Sequence, residues 1–158
     1  MKHRTSTRVA RLALGGLLAF AGAASAAAAD YYGVAAGDGY MMMVDKSSIY
    51  QTGGYSRGWL ITLNQDSDDE DQAPIVSMLL EVDCQQNRSR PISFTARDED
   101  GSVITSDDEV GEWSNVEPST TGETVRDAIC SPASITENQL PSDSLTDIRA
   151  AYLQTLKK

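Results

Sequence analysis

From residue 30 onward, apolar and polar side chains alternate along most of the chain, the period-two pattern of half-buried strands. Residues 40–44 (YMMMV) form a short apolar run, with Gly37-Asp38-Gly39 before it and Asp45-Lys46-Ser47-Ser48 after it. Residues 55–63 follow a Gly53-Gly54 turn and place Trp59, Ile61 and Leu63 on one side of a strand. Val76, Met78, Leu80 and Val82 share one parity. Cys84 continues it, so strand geometry sends its sulfur toward the same apolar side. In residues 91–97, Ile92, Phe94 and Ala96 alternate with Ser93, Thr95 and Arg97, and Pro91 predicts an edge or first-residue position. Asp98-Glu99-Asp100-Gly101 is a tight-turn sequence, after which residues 102–105 resume as a strand.

The period then changes. Residues 122–130 place Val125, Ala128 and Ile129 on one helical face, and residues 144–158 carry a stripe of Leu145, Ile148, Tyr152 and Leu156. Ser144 with Asp147 resembles a capping pair, and Lys157 and Lys158 suit the negative helix end. Residues 131–142 between them are rich in Ser and Pro and read as an ordered loop or tether. The expected class is α+β: a curved antiparallel sheet of about five or six strands, with one or two C-terminal helices packed on it.

The start of the chain differs in kind. Residues 1–11 are basic, residues 12–24 are apolar and small (LALGGLLAFAGAA), and small residues fill 25–29. That order is the anatomy of a secretory signal peptide. Thirteen helical residues reach about 20 Å, short of a hydrocarbon core of roughly 30 Å. Cleavage is expected after Ala26 or Ala29. No cysteine ends the apolar run to take a lipid, and Arg8 and Arg11 are not adjacent as twin-arginine export requires. The expected organisation is therefore a signal over residues 1–29, a β-rich domain over 30–131, and a linker and helix over 132–158. The processed chain is expected in the periplasm or outside the cell, with no stable membrane insertion.

Charge sharpens this picture. Lys2, Arg4, Arg8 and Arg11 lie in the first 29 residues, which hold no acid, so nine bases face all 23 acids in the remainder, a net −14. Such a polyanion repels phosphate backbones and anionic lipid, which excludes nucleic acid as a partner. The two cysteines, Cys84 and Cys130, form an even count in an oxidising compartment and are expected to pair. By the chain-entropy model, a loop of that length contributes about 4 kcal/mol. The bridge would join the strand ending at Cys84 to the helix ending at Cys130.

Candidate chemistry is sparse. His3 is the only histidine and leaves with the signal, so the processed chain has no triad, Cys–His pair or imidazole metal site. With Cys84 and Cys130 bridged, no thiolate nucleophile remains. The acids cluster in predicted turns, where solvation keeps them ionised, whereas a general acid needs burial to raise its pKa. Residues 66–71 (DSDDED) offer oxygen ligands, but a calcium loop needs Gly sixth and Glu twelfth, and Asp71 and Ser77 stand there. Asp98, Glu99 and Asp100 are too few for such a loop. The Met41-Met42-Met43 run, Trp59 and Trp113 are expected to pack rather than bind. No catalytic, cofactor-binding or metal residue is expected.

Several segments in order carry a resemblance: Val44-Asp45 with Ser48-Ile49, the Trp59 strand, Val82-Asp83-Cys84, Asp98–Gly101, Trp113 with Val116, Pro118 and Ser119, and the helix ending at Cys130. Over about residues 32–131 the chain resembles the surface-adhesin protein E family of Gram-negative bacteria. The resemblance implies a small antiparallel sheet with a helix tied to it by the Cys84–Cys130 disulfide. It also implies adhesion by binding extracellular-matrix or plasma proteins, through residues it does not identify. The expected function is an exported, non-enzymatic protein with a protein partner and no cofactor. The alternatives are a periplasmic inhibitor of a basic enzyme such as lysozyme, suggested by the charge, and an envelope accessory without a ligand.

Overall fold

The computed structural model describes residues 28–37, 39–65 and 72–157. Six strands run as an antiparallel meander in chain order: β1 (Tyr31–Gly37), β2 (Tyr40–Thr52), β3 (Tyr55–Asn64), β4 (Ile75–Asp83), β5 (Arg88–Arg97) and β6 (Val103–Asp107). A two-residue β7 (Ser114–Asn115) pairs with the start of β5. Helix α1 (Thr121–Cys130) and, after a 3₁₀ turn, helix α2 (Leu145–Leu156) complete the chain. The expected α+β class and C-terminal helices are what the structure contains.

Local chemistry sets most boundaries. Gly53 and Gly54 both take positive φ, 58° and 89°, which the two-residue β2–β3 turn requires. The oxygens of Thr120 and Ser144 cap α1 and α2 by accepting from the amides of Glu123 and Asp147. Strand β2 extends well past the expected residue 44, through a register shift between Asp45 and Tyr50. The polar residues there supply hydrogen bonds the interrupted ladder lacks: the Trp59 amide donates to Ser48 Oγ at 3.0 Å. Pro91 lies within β5 rather than at its start. On that side of β5, β6 pairs with Phe94–Arg97 and β7 with Arg88 and Ser89, so the proline occupies the gap between them.

Each face of the sheet packs against a different helix. Ile61 stands opposite Ser77 and Leu60 opposite Met78, so the Trp59, Ile61 and Leu63 side of β3 faces away from Met78, Leu80 and Val82. On the first face, α1 packs Val125, Ala128 and Ile129 against Val44, Leu80 and Val82. The Cys84–Cys130 disulfide, with Cα atoms 5.8 Å apart, ties the end of α1 to the turn after β4. On the second face, Ile148 of α2 joins Tyr31, Met43, Ile61, Leu63 and Ile75.

The linker makes this two-sided arrangement possible. The Gly33 amide donates to Asn138 O and the Leu140 amide to Tyr31 O, so residues 138–140 run along the β1 edge and carry the chain from one face to the other. Helix α2 then crosses one end of the second face only. Arg149 donates to Asn64 O at the end of β3, and the Tyr152 hydroxyl to Gly37 O at the end of β1. Leu156, expected in the apolar stripe, is exposed. The other end of that face has no helix over it among the described residues.

Candidate functional site

The uncovered end of the second face carries a cross-strand row of polar and aromatic side chains. The register places Tyr50 beside Arg57, Arg57 beside Glu81, and Glu81 beside Arg90, across β2 to β5. One step nearer the sheet end, Asp83 stands beside Arg88. Opposite charges directly facing across strands are the stabilising arrangement, and here three guanidinium groups meet two carboxylates.

Glu81 is the hub. It is 2% exposed, and each of its oxygens accepts two N–H groups from one arginine. Arg57 donates from Nε and Nη2 to Oε1 at 2.9 and 2.6 Å, and Arg90 from Nε and Nη2 to Oε2 at 2.8 and 2.5 Å. Burial pushes the Glu81 carboxyl up, but the hydrogen bonds and charges of Arg57 and Arg90 outweigh it and hold the group below its ordinary pKa. Hydrogen bonds that Arg57 donates to Tyr50 and then to Glu81 raise its pKa. Asp83 is likewise lowered, first by the Gln86 amide and then, against the opposing effect of burial, by Arg88.

Trp113 is laid on top of this row. The guanidinium carbons of Arg88 and Arg90 sit 4.6 and 4.5 Å from its ring centroid, within cation–π range, and the Tyr55 ring is 5.2 Å away. The backbone explains the placement. Gly111 N donates to Pro91 O, β7 pairs with Arg88 and Ser89, and Val116 N donates to Asn87 O, so the segment around Trp113 is fastened on both sides. A side chain at Gly111 would bring a Cβ within 2.7 Å of Pro91 Cγ, so only glycine permits this approach. Between the row and α2 lies a cleft of about 220 Å³ whose walls include Asp45, Trp59, Arg97 and Leu145.

Chemically, the site holds ordered guanidinium and indole surfaces that are partly open to water. The side chains of Arg57, Arg88 and Arg90 are 32, 28 and 27% exposed. It presents planar donors and π faces and has no nucleophile beside a base. Among the described residues no three His, Cys, Asp or Glu side chains gather where they would hold a metal ion.

The residues singled out from sequence are dispersed. Cys84 and Cys130 are bonded to each other on the first face, away from this row. Trp59 is partly buried against the second-face core, and Trp113 lies on the arginines instead of in a core. Of the methionine run, Met43 is fully buried and Met41 packs beside it, while Met42 faces the α1 side. The Asp98–Gly101 turn is closed by Gly101 N donating to Asp98 O. Residues 66–71 and the expected signal up to residue 27 lie outside the described residues. Sequence reasoning missed Arg57, Glu81, Arg88 and Arg90. The available signal was Glu81 inside the apolar run LLEV, together with the alternating Arg88 and Arg90.

A family model described as surface-adhesin protein E matches residues 31–131. Neither the curated proteins nor the solved structures contain a match to the chain.

Proposed function

Because the chain belongs to the surface-adhesin protein E family, we propose that it is exported and non-enzymatic and binds another protein through the guanidinium–aromatic end of its second sheet face. Residues 1–29 serve as the export signal in this reading, with processing at Ala26 or Ala29 and release to the periplasm or exterior. Residues 30–131 form the binding domain, and residues 132–158 the strap and helix that cover part of one face.

One observation carries the choice of surface: Trp113 held against Arg88 and Arg90, with Tyr55 beside it. Trp, Tyr and Arg are the residue types that dominate binding energy at protein interfaces. Here the ion pairs to Asp83 and Glu81 fix the arginines in advance, which lowers the ordering cost of association. The test is binding of the processed protein to immobilised extracellular-matrix and plasma proteins at physiological salt. Saturable binding well above an acidic control protein of equal net charge is the expected result. Signals no greater than that control across the panel would overturn adhesion.

A second reading, inhibition of a basic enzyme such as lysozyme, draws on the acids at the two ends of the exposed β6: Asp98, Glu99 and Asp100 before it, and Asp107, its last residue, with Asp108 and Glu109. A lysis assay unchanged by excess protein would remove it.

A further inference from the structure

The two edges of the sheet are finished differently. At β1 the strap of residues 138–140 takes up the Gly33 amide and the Tyr31 carbonyl oxygen, so the chain itself covers that edge. At the other edge, β6 pairs with β5 alone among the described residues. Every second residue of an edge strand turns its N–H and C=O outward, a ready template for another strand. Such edges are ordinarily blunted by lysine, proline or a covering segment, and Val103, Ile104, Thr105 and Ser106 supply none of these. A register shift leaves Ile104 without a β5 partner. Val103 and Ile104 are 55 and 57% exposed, and with Val110 they are three of the five exposed large hydrophobic side chains among the described residues.

Charge decides what can cover this edge. Residues 98–112 hold seven acids and no base, gathered mainly at the two ends of β6. The cations beside them are Arg97, opposite Val103 on β5, and Arg149, 3.7 Å from Glu99, too few to balance the set. A second copy of this strand is repelled: paired in either direction, two β6 strands bring acidic ends together. A chain with lysine or arginine at those ends meets opposite charge instead. We propose that the open edge of β6 binds an extended basic segment of another protein, which adds to the sheet as a further strand through its backbone. Its cations lie against the acids at the two ends of β6, and β-branched residues between them lie beside Val103 and Ile104. This inference rests on neither adhesion nor enzyme inhibition. β6 lies along Phe94–Arg97, whereas the Trp113 segment is fastened at Arg88 and Ser89, the other end of β5.

The probe is the capped peptide KTVTVTKK, titrated into the processed full chain and followed by amide chemical shifts and hydrogen exchange. One control is the same peptide with every central backbone nitrogen methylated, which keeps the charge and loses the amide donors. The other is the acidic peptide ETVTVTEE. KTVTVTKK is expected to bind saturably, to shift amides within residues 103–107, and to slow exchange of the outward-facing ones at least about tenfold. Raising salt from about 50 to about 500 mM should weaken it several-fold, and neither control should bind saturably. Ile104→Lys, at an exposed position, should leave the urea midpoint near that of the parent and weaken KTVTVTKK about tenfold. Equal binding of the methylated peptide would show charge attraction without strand addition and overturn the proposal. So would equal binding of ETVTVTEE, no saturable binding of KTVTVTKK, shifts confined to other residues, a dimer paired through β6, or undiminished binding by folded Ile104→Lys. Each of these leaves adhesion through the Trp113 end standing, because that is read on immobilised matrix and plasma proteins.

Discussion

The two faces of this sheet solve one problem in two ways. On the first, α1 brings Ile129 and Val125 onto Val44 and Val82, and the Cys84–Cys130 bridge fastens the helix end to the strand it covers. On the second, α2 covers one end of the sheet, and beyond it the strands carry Arg57, Glu81 and Arg90 where the first face carries aliphatic side chains. Covered sheet is held by non-directional burial. Uncovered sheet is held by directional ion pairs that tolerate water at their outer edge. The first arrangement keeps an element in place, and the second keeps side chains in place while leaving them reachable. That difference is why we propose recognition on the second face.

The comparison is broken most severely at the disulfide. Replacing Cys130 by Ser should cost about 4 kcal/mol, measured as a drop in unfolding free energy in urea, because the unfolded chain regains the entropy of the loop closed between residues 46 positions apart. The ion-pair row should come next. Glu81→Ala leaves the guanidinium groups of Arg57 and Arg90 facing each other without their shared carboxylate. The expected loss is about 2 to 3 kcal/mol, below that of a fully buried pair because both arginines are partly solvated. A Glu81→Ala variant as stable as the parent would show that the row is ornament on a sheet held by other means.

Acid tests the ion-pair row without any mutation. The Glu81 and Asp83 carboxyls titrate lower in the folded protein than in the unfolded chain, so on acidification the unfolded chain takes up protons first. The stability they contribute is present above the ordinary value of 4.5 for a glutamate and is lost as pH falls through the folded values. Urea midpoints measured from pH 7 down to pH 3 should therefore fall below about pH 4.5, and Glu81→Gln should flatten that fall.

Much of the first face was legible in the sequence, and little of the second. The parity of Met78, Leu80 and Val82, the helical spacing of Val125, Ala128 and Ile129, and an even pair of cysteines all point to one stapled helix on a sheet. These signals are local or come as a pair of rare residues. The second face depends on register. Arg57 and Glu81 lie 24 residues apart in sequence and meet only because β3 and β4 share the register that also pairs Ile61 with Ser77. Nothing in the alternation of either strand sets that offset. The Ser- and Pro-rich composition of residues 131–142 likewise announced a loop, but not that Asn138 and Leu140 would bond the β1 edge and send α2 to the far side. Trp113 resembled a core residue because its segment is short, and its position comes from β7 and Gly111 pressed against Pro91.

The smallest expected change in stability carries the most direct test. Trp113 is half-buried and rests on groups already paired with Asp83 and Glu81, so Trp113→Ala should lower unfolding free energy by only about 1 kcal/mol. Binding curves of the parent and this variant against the matrix or plasma protein that the parent captures, with urea midpoints from the same preparations, compare recognition with stability directly. The account predicts at least about a tenfold loss of affinity in a variant that remains folded. Unchanged affinity in that folded variant would contradict it and move recognition elsewhere on the molecule.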